Sequence, residues 1–545
     1  MVRIHNLVVP LTKEVSLKEV SLEEAAARRL RLPASAVRGI RLIRKAVDAR
    51  RYRGAPLGFS YVIDADIAGG DKRVLSRCRG DRNISAAPPD RPSLWECLTR
   101  VENIGSRPIV VGFGPAGMMA ALVLARAGLC PLILERGANV EERQAAVERF
   151  WREGAFDPTT NVQFGEGGAG TFSDGKLTNR SSDPRIADVI EAFIAAGAPE
   201  EIRYLHKPHI GTDRLRGVVR NIRREIMRAG GEIRFRAAVT DIEIRANRVQ
   251  AVIVNDNERL SADTVLLGIG HSARDTYHML CERGVAMEPK AFAAGVRIEH
   301  PQAFIDQAQY GEDADNLLLP AADYALTFQD RETNRGAYSF CMCPGGEVVA
   351  AASETEHVVT NGMSAYARDS GVANAALLVT VRPEDFGNAV LGGIVFQRQY
   401  EALAYRLAGK DYRAPVQTVG DFLAGKSGSR DFLVTPTYRP GVIPVDLRSC
   451  LPGFITRTLA DALEVFNRRM PGFSDPAAPL TGVEMRSSAP CRILRTKIER
   501  ESISTTGFFP MGEGAGYAGG IMSAAVDGLN TALAFLHKMG HTVTE

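Results

Sequence analysis

The feature that most constrains the fold of this chain is a glycine-rich loop at residues 112–117, with the pattern GxGxxG. The apolar run 108–111 before the loop is typical of a short buried strand. The apolar segment 118–127 after it predicts a helix, and a second apolar run, 131–135, predicts the next strand. This order predicts a parallel α/β sheet, because parallel strands need a crossover connection, usually a helix.

The spacing of the three glycines indicates a dinucleotide site. Gly112 permits a tight turn, Gly114 lets the backbone approach a pyrophosphate, and Gly117 lets the helix pack closely on the strand. Glu135 ends the second strand, 18 residues after Gly117, where a carboxylate hydrogen-bonds a ribose hydroxyl and would repel a 2′-phosphate. NADP is therefore disfavoured at this site. The alternative, a glycine turn in a nucleotide-free fold, is disfavoured by the strand, helix and acid together.

The carboxyl-terminal region contains a second glycine-rich segment, residues 507–528, whose pattern predicts a strand, a turn, a glycine loop and a helix. It resembles the second FAD motif of the glutathione-reductase-type flavoproteins. The resemblance implies that Glu513, at a position where that family usually has Asp, holds the ribityl chain of FAD. It also implies that the following helix points its amino terminus at the flavin, where the helix dipole stabilises negative charge. The alternative is a glycine loop that serves close helix packing.

Five further segments carry a wider resemblance: residues 164–177, 268–276, 338–346, 361–364 and 484–492. They resemble segments of a bacterial family of uncharacterised FAD-dependent dehydrogenases, and the resemblance extends over nearly the whole chain. It implies an enzyme, an FAD-dependent oxidoreductase of the NAD(P)/FAD-dependent type. Such an enzyme would transfer a hydride between a small organic substrate and non-covalently bound FAD.

The fold class expected from these motifs is α/β combined with α+β. A Rossmann-like FAD-binding domain is split in the sequence into residues 101–289 and residues 481–545. Between them lies an inserted mixed substrate domain, residues 290–480. A small basic α+β domain with a linker is expected at residues 1–100.

Two shorter stretches carry expectations of their own. Residues 68–93 are rich in Gly, Arg, Asp and Pro, which predicts that they are the linker or a long loop. Residues 232–255 contain three short apolar runs, which predict a three-stranded meander.

The expected FAD ligands come from the glycine loops and from the resemblance together. By resemblance, the loop 165–170 lies beside the phosphates and the isoalloxazine ring. The expected ligands are Gly112, Gly114, Pro115, Ala116, Gly117, Glu135, Arg136, Gly165, Gly167, Gly168, Gly170, Gly270, Gly512, Glu513, Gly519, Gly520 and Ile521.

Three residues are candidates for catalysis. His271 follows a predicted strand, where α/β folds place ligands, and its unperturbed pKa suits a proton shuttle; the alternative is a hydrogen-bonded structural role. Lys176 would stabilise an anionic flavin or bind an acidic substrate, and the alternative is a surface lysine. Arg486 would also bind an acidic substrate, and the alternative is an ion pair within the domain.

Cys341 and Cys343 lie in an apolar and aromatic stretch, where strand alternation would place both on one face. The alternatives are redox exchange with a flavin and packing beside the ligand cavity. Packing is favoured, because free cysteine is among the most buried residue types. The eight cysteines show no CxxC or zinc-ligand spacing, so no metal site is expected.

The net charge of +3 is distributed unevenly. Residues 1–100 hold 20 Lys and Arg against 11 Asp and Glu, a net charge of +9, so the remaining residues carry −6. A basic domain admits a second function, FAD-dependent RNA modification, and a third is redox sensing without turnover. Residues 1–100 contain no RNA-recognition motif or aromatic stacking platform, so a solvated basic face is favoured and nucleic acid is a disfavoured partner.

The remaining expectations concern location and electron donors. The chain shows no signal-like apolar run at its start and no uncharged stretch of the roughly 20 residues that a membrane span requires, which predicts a cytoplasmic protein. Residues 290–480 contain no second GxGxxG, which disfavours a dedicated nicotinamide domain. NADH or NADPH would then act as a transient electron donor at the substrate face. The sequence leaves the oligomeric state open.

Overall fold

A computed structural model describes residues 1–11, 22–49, 57–101, 106–178 and 182–541, which form a mixed α/β fold. Three sheets organise these residues: a four-stranded sheet near the amino terminus, a five-stranded parallel sheet and a seven-stranded mixed sheet. Within the described ranges, no helix is both long enough and apolar enough to cross a membrane.

The elements are numbered in chain order. The strands are β1 (Val2–Pro10), β2 (Val37–Asp48), β3 (Gly58–Ile67), β4 (Ile84–Ala86), β5 (Ile109–Val111), β6 (Leu132–Leu134), β7 (Glu232–Arg234), β8 (Val239–Arg245), β9 (Arg248–Val254), β10 (Glu258–Ser261), β11 (Val265–Leu267), β12 (Met287–Pro289), β13 (Phe292–Pro301), β14 (Thr327–Gln329), β15 (Gly336–Cys343), β16 (Gly346–Ala350), β17 (Thr360–Ser364), β18 (Val372–Val381), β19 (Ala414–Thr418), β20 (Val442–Pro444), β21 (Pro479–Glu484), β22 (Cys491–Ile493) and β23 (Phe508–Pro510). The α-helices are α1 (Leu22–Leu30), α2 (Asp71–Arg77), α3 (Leu94–Cys97), α4 (Pro115–Arg126), α5 (Val140–Glu153), α6 (Arg185–Ala195), α7 (Thr212–Arg228), α8 (Arg274–Glu282), α9 (Gln302–Tyr310), α10 (Gly392–Leu407), α11 (Val419–Ala424), α12 (Gly453–Arg469) and α13 (Ile521–Lys538).

The amino-terminal sheet is antiparallel, in the order β2-β3-β1-β4. Alternate side chains of β1 and β3, among them Ile4 and Ile63, are buried with Leu30 of α1 in a small separate core. This two-layer arrangement follows from strand geometry, because successive side chains point to opposite faces and only one face needs cover.

Residues 68–93 are not the linker that their composition predicts. The helix α2 lies within them and buries Val74, and β4 pairs with β1 so that Ile84 lies opposite Ile4. The prediction was wrong because the glycines of this stretch mark turns between short elements. Gly69 and Gly70, with φ of 84° and 99°, form the turn before α2.

The parallel sheet has the order β23-β11-β5-β6-β7, and each neighbouring pair is parallel. The carboxyl ends of its strands therefore lie at one edge. β5, β11 and β23 are fully buried, which explains why they read as continuous apolar runs in the sequence. The helices α4 and α13 pack against each other beside this sheet, so segments from both halves of the chain share one core.

Residues 232–255 do not form the predicted three-stranded meander. β7 joins the parallel sheet, with Ile233 opposite Ile133, and the meander instead consists of β8, β9 and β10. Periodicity could not show whether β7 belongs to the meander or to the parallel sheet, because a three-residue run carries no information about its pairing partner.

The mixed sheet has the order β14-β15-β18-β13-β21-β19-β20, and only the pair β19 and β20 is parallel. The helix α12 packs on β13, β15 and β18, and its Phe466 shares a core with Val296 and Leu377. Alternation along β15 directs Tyr338 and Phe340 to the opposite face, away from that core. The domain boundaries expected from the sequence stay predictions.

Candidate functional site

Four backbone loops meet at the carboxyl-terminal edge of the parallel sheet. They follow β5, β6, β11 and β23, and the edge is where open α/β sheets bind ligands. The separate loop at residues 165–170 joins them, because the Gly167 amide donates to Phe113 O at 2.8 Å and the Gly165 amide donates to Glu135 Oε1 at 3.0 Å. The structure thus brings together most of the residues that the sequence offered as cofactor ligands.

Close backbone approach explains several of the glycines at this edge. A Cβ at Gly117 would lie 1.9 Å from Gly112 O, and one at Gly168 would lie 3.0 Å from Gly114 Cα. A Cβ at Gly528 of α13 would lie 2.0 Å from Ala116 O of α4. The distances at Gly117 and Gly528 are too short for a real Cβ, and the one at Gly168, whose φ is 62°, is tighter than nearly all real Cβ contacts, so the close approach of α4, α13 and the loops requires glycine.

The two helices begin at this edge without a side-chain cap. The N-cap residue of α4 is Gly114 and that of α13 is Gly520, and neither glycine has a side chain that could cap its helix. A Cβ at Gly270, Gly519 or Gly520 would meet no atom within 4 Å, so the backbone there borders open space. The edge therefore combines the N–H groups of two helix starts with room for a ligand, as an elongated anionic dinucleotide requires.

Glu135 is buried, and its carboxylate joins three loops. It accepts hydrogen bonds from the amides of Phe113 at 2.8 Å, Gly137 at 2.9 Å and Gly165 at 3.0 Å. The predicted ribose contact stays a prediction, and the carboxylate already has this positioning role. The neighbouring Arg136 pairs with Asp275 at 2.6 Å.

Arg143 is a fully buried residue of α5 that sequence reasoning missed. Its guanidinium donates to four carbonyl oxygens of residues 161–166, two of them within the loop 165–170, at 2.6–3.2 Å. Burial lowers the pKa of Arg143 to about 10, against the opposing attraction of Glu135 and Glu166. The acceptors are Asn161, Val162, Gly165 and Glu166.

Arg143→Met is expected to lower the free energy of unfolding by about 2 kcal/mol, because buried carbonyl groups lose their donor. Hydrogen exchange in residues 161–170 should rise as well, since the guanidinium fixes that segment. The matched control is Arg149→Met, an exposed position of the same helix, which should change stability by less than about 0.5 kcal/mol. Urea unfolding and hydrogen exchange measure both variants, and equal effects would contradict the role of Arg143.

Three titratable groups keep accessible surface although the surrounding protein desolvates them. Desolvation lowers the pKa of the half-buried His271 to about 3, with Arg486 and Arg274 adding to the effect. Desolvation raises the pKa of Glu513 to about 7, opposed by Lys290, and it raises the pKa of the exposed Cys341 to about 12. Groups that are accessible yet desolvated line a recess rather than a convex surface. We infer that one recess lies between the loops that follow β11 and β23 and the end of β15, where these three groups lie.

The pKa of His271 is lower than the near-neutral value expected from the sequence, and its role as a proton shuttle stays a prediction. Two guanidinium groups and desolvation keep the imidazole neutral at physiological pH. Its Nδ1 lies 2.9 Å from the hydroxyl oxygen of Ser272. The sequence showed the residue type, but its charged neighbours come from distant segments.

Arg486 lies in a buried ion-pair network rather than free in the recess. Its guanidinium donates to both carboxylate oxygens of Glu401, at 3.0 and 2.7 Å, and to the hydroxyl of Ser353. Arg274 donates to the same carboxylate at 2.7 and 2.9 Å and to Glu354 at 2.5 Å. This corrects the expectation that Arg486 binds an acidic substrate, and the ion-pair alternative describes it.

Lys176 does border the recess. Its Nζ donates to Met342 O and lies 3.7 Å from a carboxylate oxygen of Asp174.

Cys341 and Cys343 do not share one environment, although strand alternation predicts that they do: Cys341 is exposed and Cys343 is buried. The reason is a bulge in β15 at which Cys341 adopts a φ of 40°.

Several basic side chains of the amino-terminal unit are already paired with acids. The buried Asp64 accepts from both Arg3, at 2.7 Å, and Arg41, at 2.8 Å, and Arg29 pairs with Asp81 at 2.5 Å. These pairs reduce the free positive charge available for a polyanion. The choice between a solvated basic face and a surface that binds nucleic acid stays a prediction.

Comparison with known proteins gives partial matches for two regions. Residues 291–487 match the family described as the C-terminal domain-like region of FAD-dependent proteins, and residues 1–53 match a domain of unknown function. The crystal structure of CtdE in complex with FAD is 12% identical, with a TM-score of 0.34 over 79% of this chain and 84% of that one. Glycine oxidase from Bacillus cereus is 10% identical, with a TM-score of 0.31 over 80% of this chain and 98% of that one. Scores this low assign neither substrate nor reaction.

A full-length relative is far more similar. An uncharacterized protein of Clostridium beijerinckii is 45% identical over 538 residues, which cover 98% of this chain and 99% of the relative. Identity at this level over both whole chains indicates a common fold. The chain therefore belongs to the same protein family as this clostridial protein.

Proposed function

We propose that this protein is an FAD-dependent oxidoreductase that transfers a hydride between a small organic substrate and non-covalently bound FAD. The observation that carries the proposal is the meeting of α4 and α13 at one sheet edge, each beginning after a glycine with no side-chain cap. Two such helix starts offer N–H groups and positive potential at two points along one elongated ligand. The family match of residues 291–487 supports the same ligand.

The residues at this edge fit the chemistry of FAD. Gly114 leaves room for a pyrophosphate at the start of α4, and Gly519 and Gly520 leave room for the flavin at the start of α13. Glu513 would face the ribityl chain between them, and Arg136 the adenosine end. When bound, FAD would supply the redox chemistry, while the chain binds and orients it and excludes water. The other expected ligands stay part of this proposal.

We propose that the substrate lies against the face of the mixed sheet that α12 leaves uncovered. Tyr338 and Phe340 share that face of β15, with ring centroids 6.3 Å apart, and Phe340 is 38% exposed. Lys176 borders the same recess and supports an acidic substrate, whereas the paired Arg486 does not. NADH or NADPH is proposed as a transient electron donor at this face.

The test is the visible spectrum of the purified protein, followed by anaerobic addition of NADH or NADPH. We expect a yellow protein whose flavin, released by heat, chromatographs as FAD, which also checks that the cofactor is not covalent. Bleaching by one nucleotide would identify the donor, and FAD that resists both would direct the search to substrates that are themselves oxidised. A colourless protein that takes up no added FAD would contradict the proposal.

A further inference from the structure

A chain of hydrogen-bonding groups connects His271 to the segment that follows β16. The amide nitrogen of the Gln163 side chain donates to Ala351 O at 3.3 Å. The amide oxygen of Gln163 lies 3.3 Å from the hydroxyl oxygen of Ser272, and that hydroxyl oxygen lies 2.9 Å from His271 Nδ1. Gln163 and Ser272 are both buried, so no bulk water competes for these positions.

The carbonyl of Ala351 determines which atom donates in each hydrogen bond from Gln163 to His271. A carbonyl only accepts, so the Gln163 side chain must turn its NH₂ group towards Ala351 and its oxygen towards Ser272. That oxygen also only accepts, so the Ser272 hydroxyl must donate to it. The hydroxyl has a single proton, and its oxygen can therefore only accept from His271, which requires a proton on Nδ1.

The environment of the imidazole excludes a second proton. Besides desolvation, Arg486 after β21, Arg274 of α8 and Lys290 beside β13 lower its pKa, and the acid Glu401 of α10 opposes them. Cations outnumber the acid, so the imidazole is neutral, and a neutral ring with a proton on Nδ1 has a bare lone pair on Nε2.

His271 lies beside the predicted ribityl-binding turn. The hydroxyl of the buried Tyr277 lies 2.7 Å from Gly514 O and 3.2 Å from Gly270 O, and it clamps the two loops together. The Gly270 backbone borders open space. A ligand that extends from the start of α4 to the start of α13 must pass this point.

We propose that His271 accepts, through Nε2, a hydrogen bond from a ribityl hydroxyl of bound FAD. This inference rests on the proposed function. A lone pair suits a hydroxyl donor and disfavours the phosphates, which offer only acceptor oxygens. His271 is thus a residue that positions the cofactor, held in one tautomer by Ser272 and Gln163, and it does not carry a proton during the reaction.

The tautomer can be tested without any cofactor. In protein labelled with ¹⁵N-histidine, the two nitrogens of His271 should show the widely separated shifts of one protonated and one bare nitrogen, unchanged between roughly pH 5 and 8. The signals are assigned with His271→Asn, and His278→Gln, a half-buried imidazole on α8, is the control. Ser272→Ala removes the acceptor for the Nδ1 proton, so His271 should then populate both neutral tautomers. A protonated Nε2, or titration near pH 6.5, would overturn the proposal.

The hydroxyl partner is tested by affinity rather than by turnover. His271→Phe should weaken FAD binding to the apoprotein about tenfold. The same substitution should leave unchanged the affinity for one FAD analogue that lacks a single ribityl hydroxyl. In that complex the hydroxyl that donates to His271 is already absent. If His271→Phe lowers the affinity for FAD and for the 2′-, 3′- and 4′-deoxyribityl analogues by the same factor, the assignment is overturned. Failure of the wild type to bind FAD is a separate result, which overturns the proposed function, and the tautomer measurement still stands.

Discussion

Gly114→Ala is expected to weaken FAD binding by about 10- to 100-fold, a loss of about 1.4–2.7 kcal/mol, while the chain stays folded. Gly114 has a φ of −79° and a ψ of −175°, which any residue adopts, and its added Cβ would lie 3.7 Å from the nearest atom, Gly168 Cα. The protein therefore tolerates the methyl group. A pyrophosphate at the start of α4 would not, because the methyl group occupies the space through which it approaches the backbone.

Two other glycines provide matched controls for this prediction. Gly217→Ala, in α7, adds a Cβ that meets nothing within 4 Å; it should leave FAD affinity unchanged and stabilise the helix by about 0.5–1 kcal/mol. Gly117→Ala should instead impair folding, because its Cβ would lie 1.9 Å from Gly112 O. Flavin fluorescence titration and urea unfolding separate the three outcomes. Wild-type affinity in Gly114→Ala would contradict a pyrophosphate at this position.

Local sequence patterns predicted the framework of the site because its constraints are themselves local. The glycine spacing at residues 112–117 reflects backbone contacts within one turn, and it predicted both the strand β5 and the helix α4. The second glycine segment likewise predicted β23 and α13. Steric requirements between residues a few positions apart produce a fixed glycine spacing that can be recognised in the sequence.

The electrostatic environment of the site could not be predicted in the same way. Glu401 lies 127 positions from Arg274 and 85 from Arg486, and no local pattern links them. The sequence therefore showed an arginine at 486 without the acid that engages it. The low pKa of His271 has the same origin, since the cations beside it come from α8 and from the segment after β21. Arg143 was missed because its partners are backbone carbonyls, which every sequence offers.

Glu401→Gln is expected to lower the free energy of unfolding at neutral pH by about 3–5 kcal/mol. Glu401 is fully buried, and its carboxylate is bonded to both Arg274 and Arg486. Glutamine keeps the shape but removes the charge, so Arg486 would lose the carboxylate that it is bonded to and Arg274 would keep only Glu354. The control is Glu464→Gln, an exposed pair with Arg468 in which the side chains are 74% and 62% exposed, and its effect should stay below about 1 kcal/mol.

Acid unfolding tests the same network, because the lowered pKa of Glu401 determines how the free energy of unfolding changes with pH. Burial alone would raise the pKa of Glu401, but Arg274 and Arg486 override it and lower the pKa to about 2, from an ordinary value of 4.5. A carboxylate with a lowered pKa stabilises the folded chain above its ordinary pKa, and that contribution disappears as the pH falls through the lowered value. The wild type should therefore lose more stability than Glu401→Gln between about pH 4.5 and pH 2, and the two unfolding curves should converge at the acid end. Parallel curves over that range would mean that Glu401 is not held ionised by the two arginines.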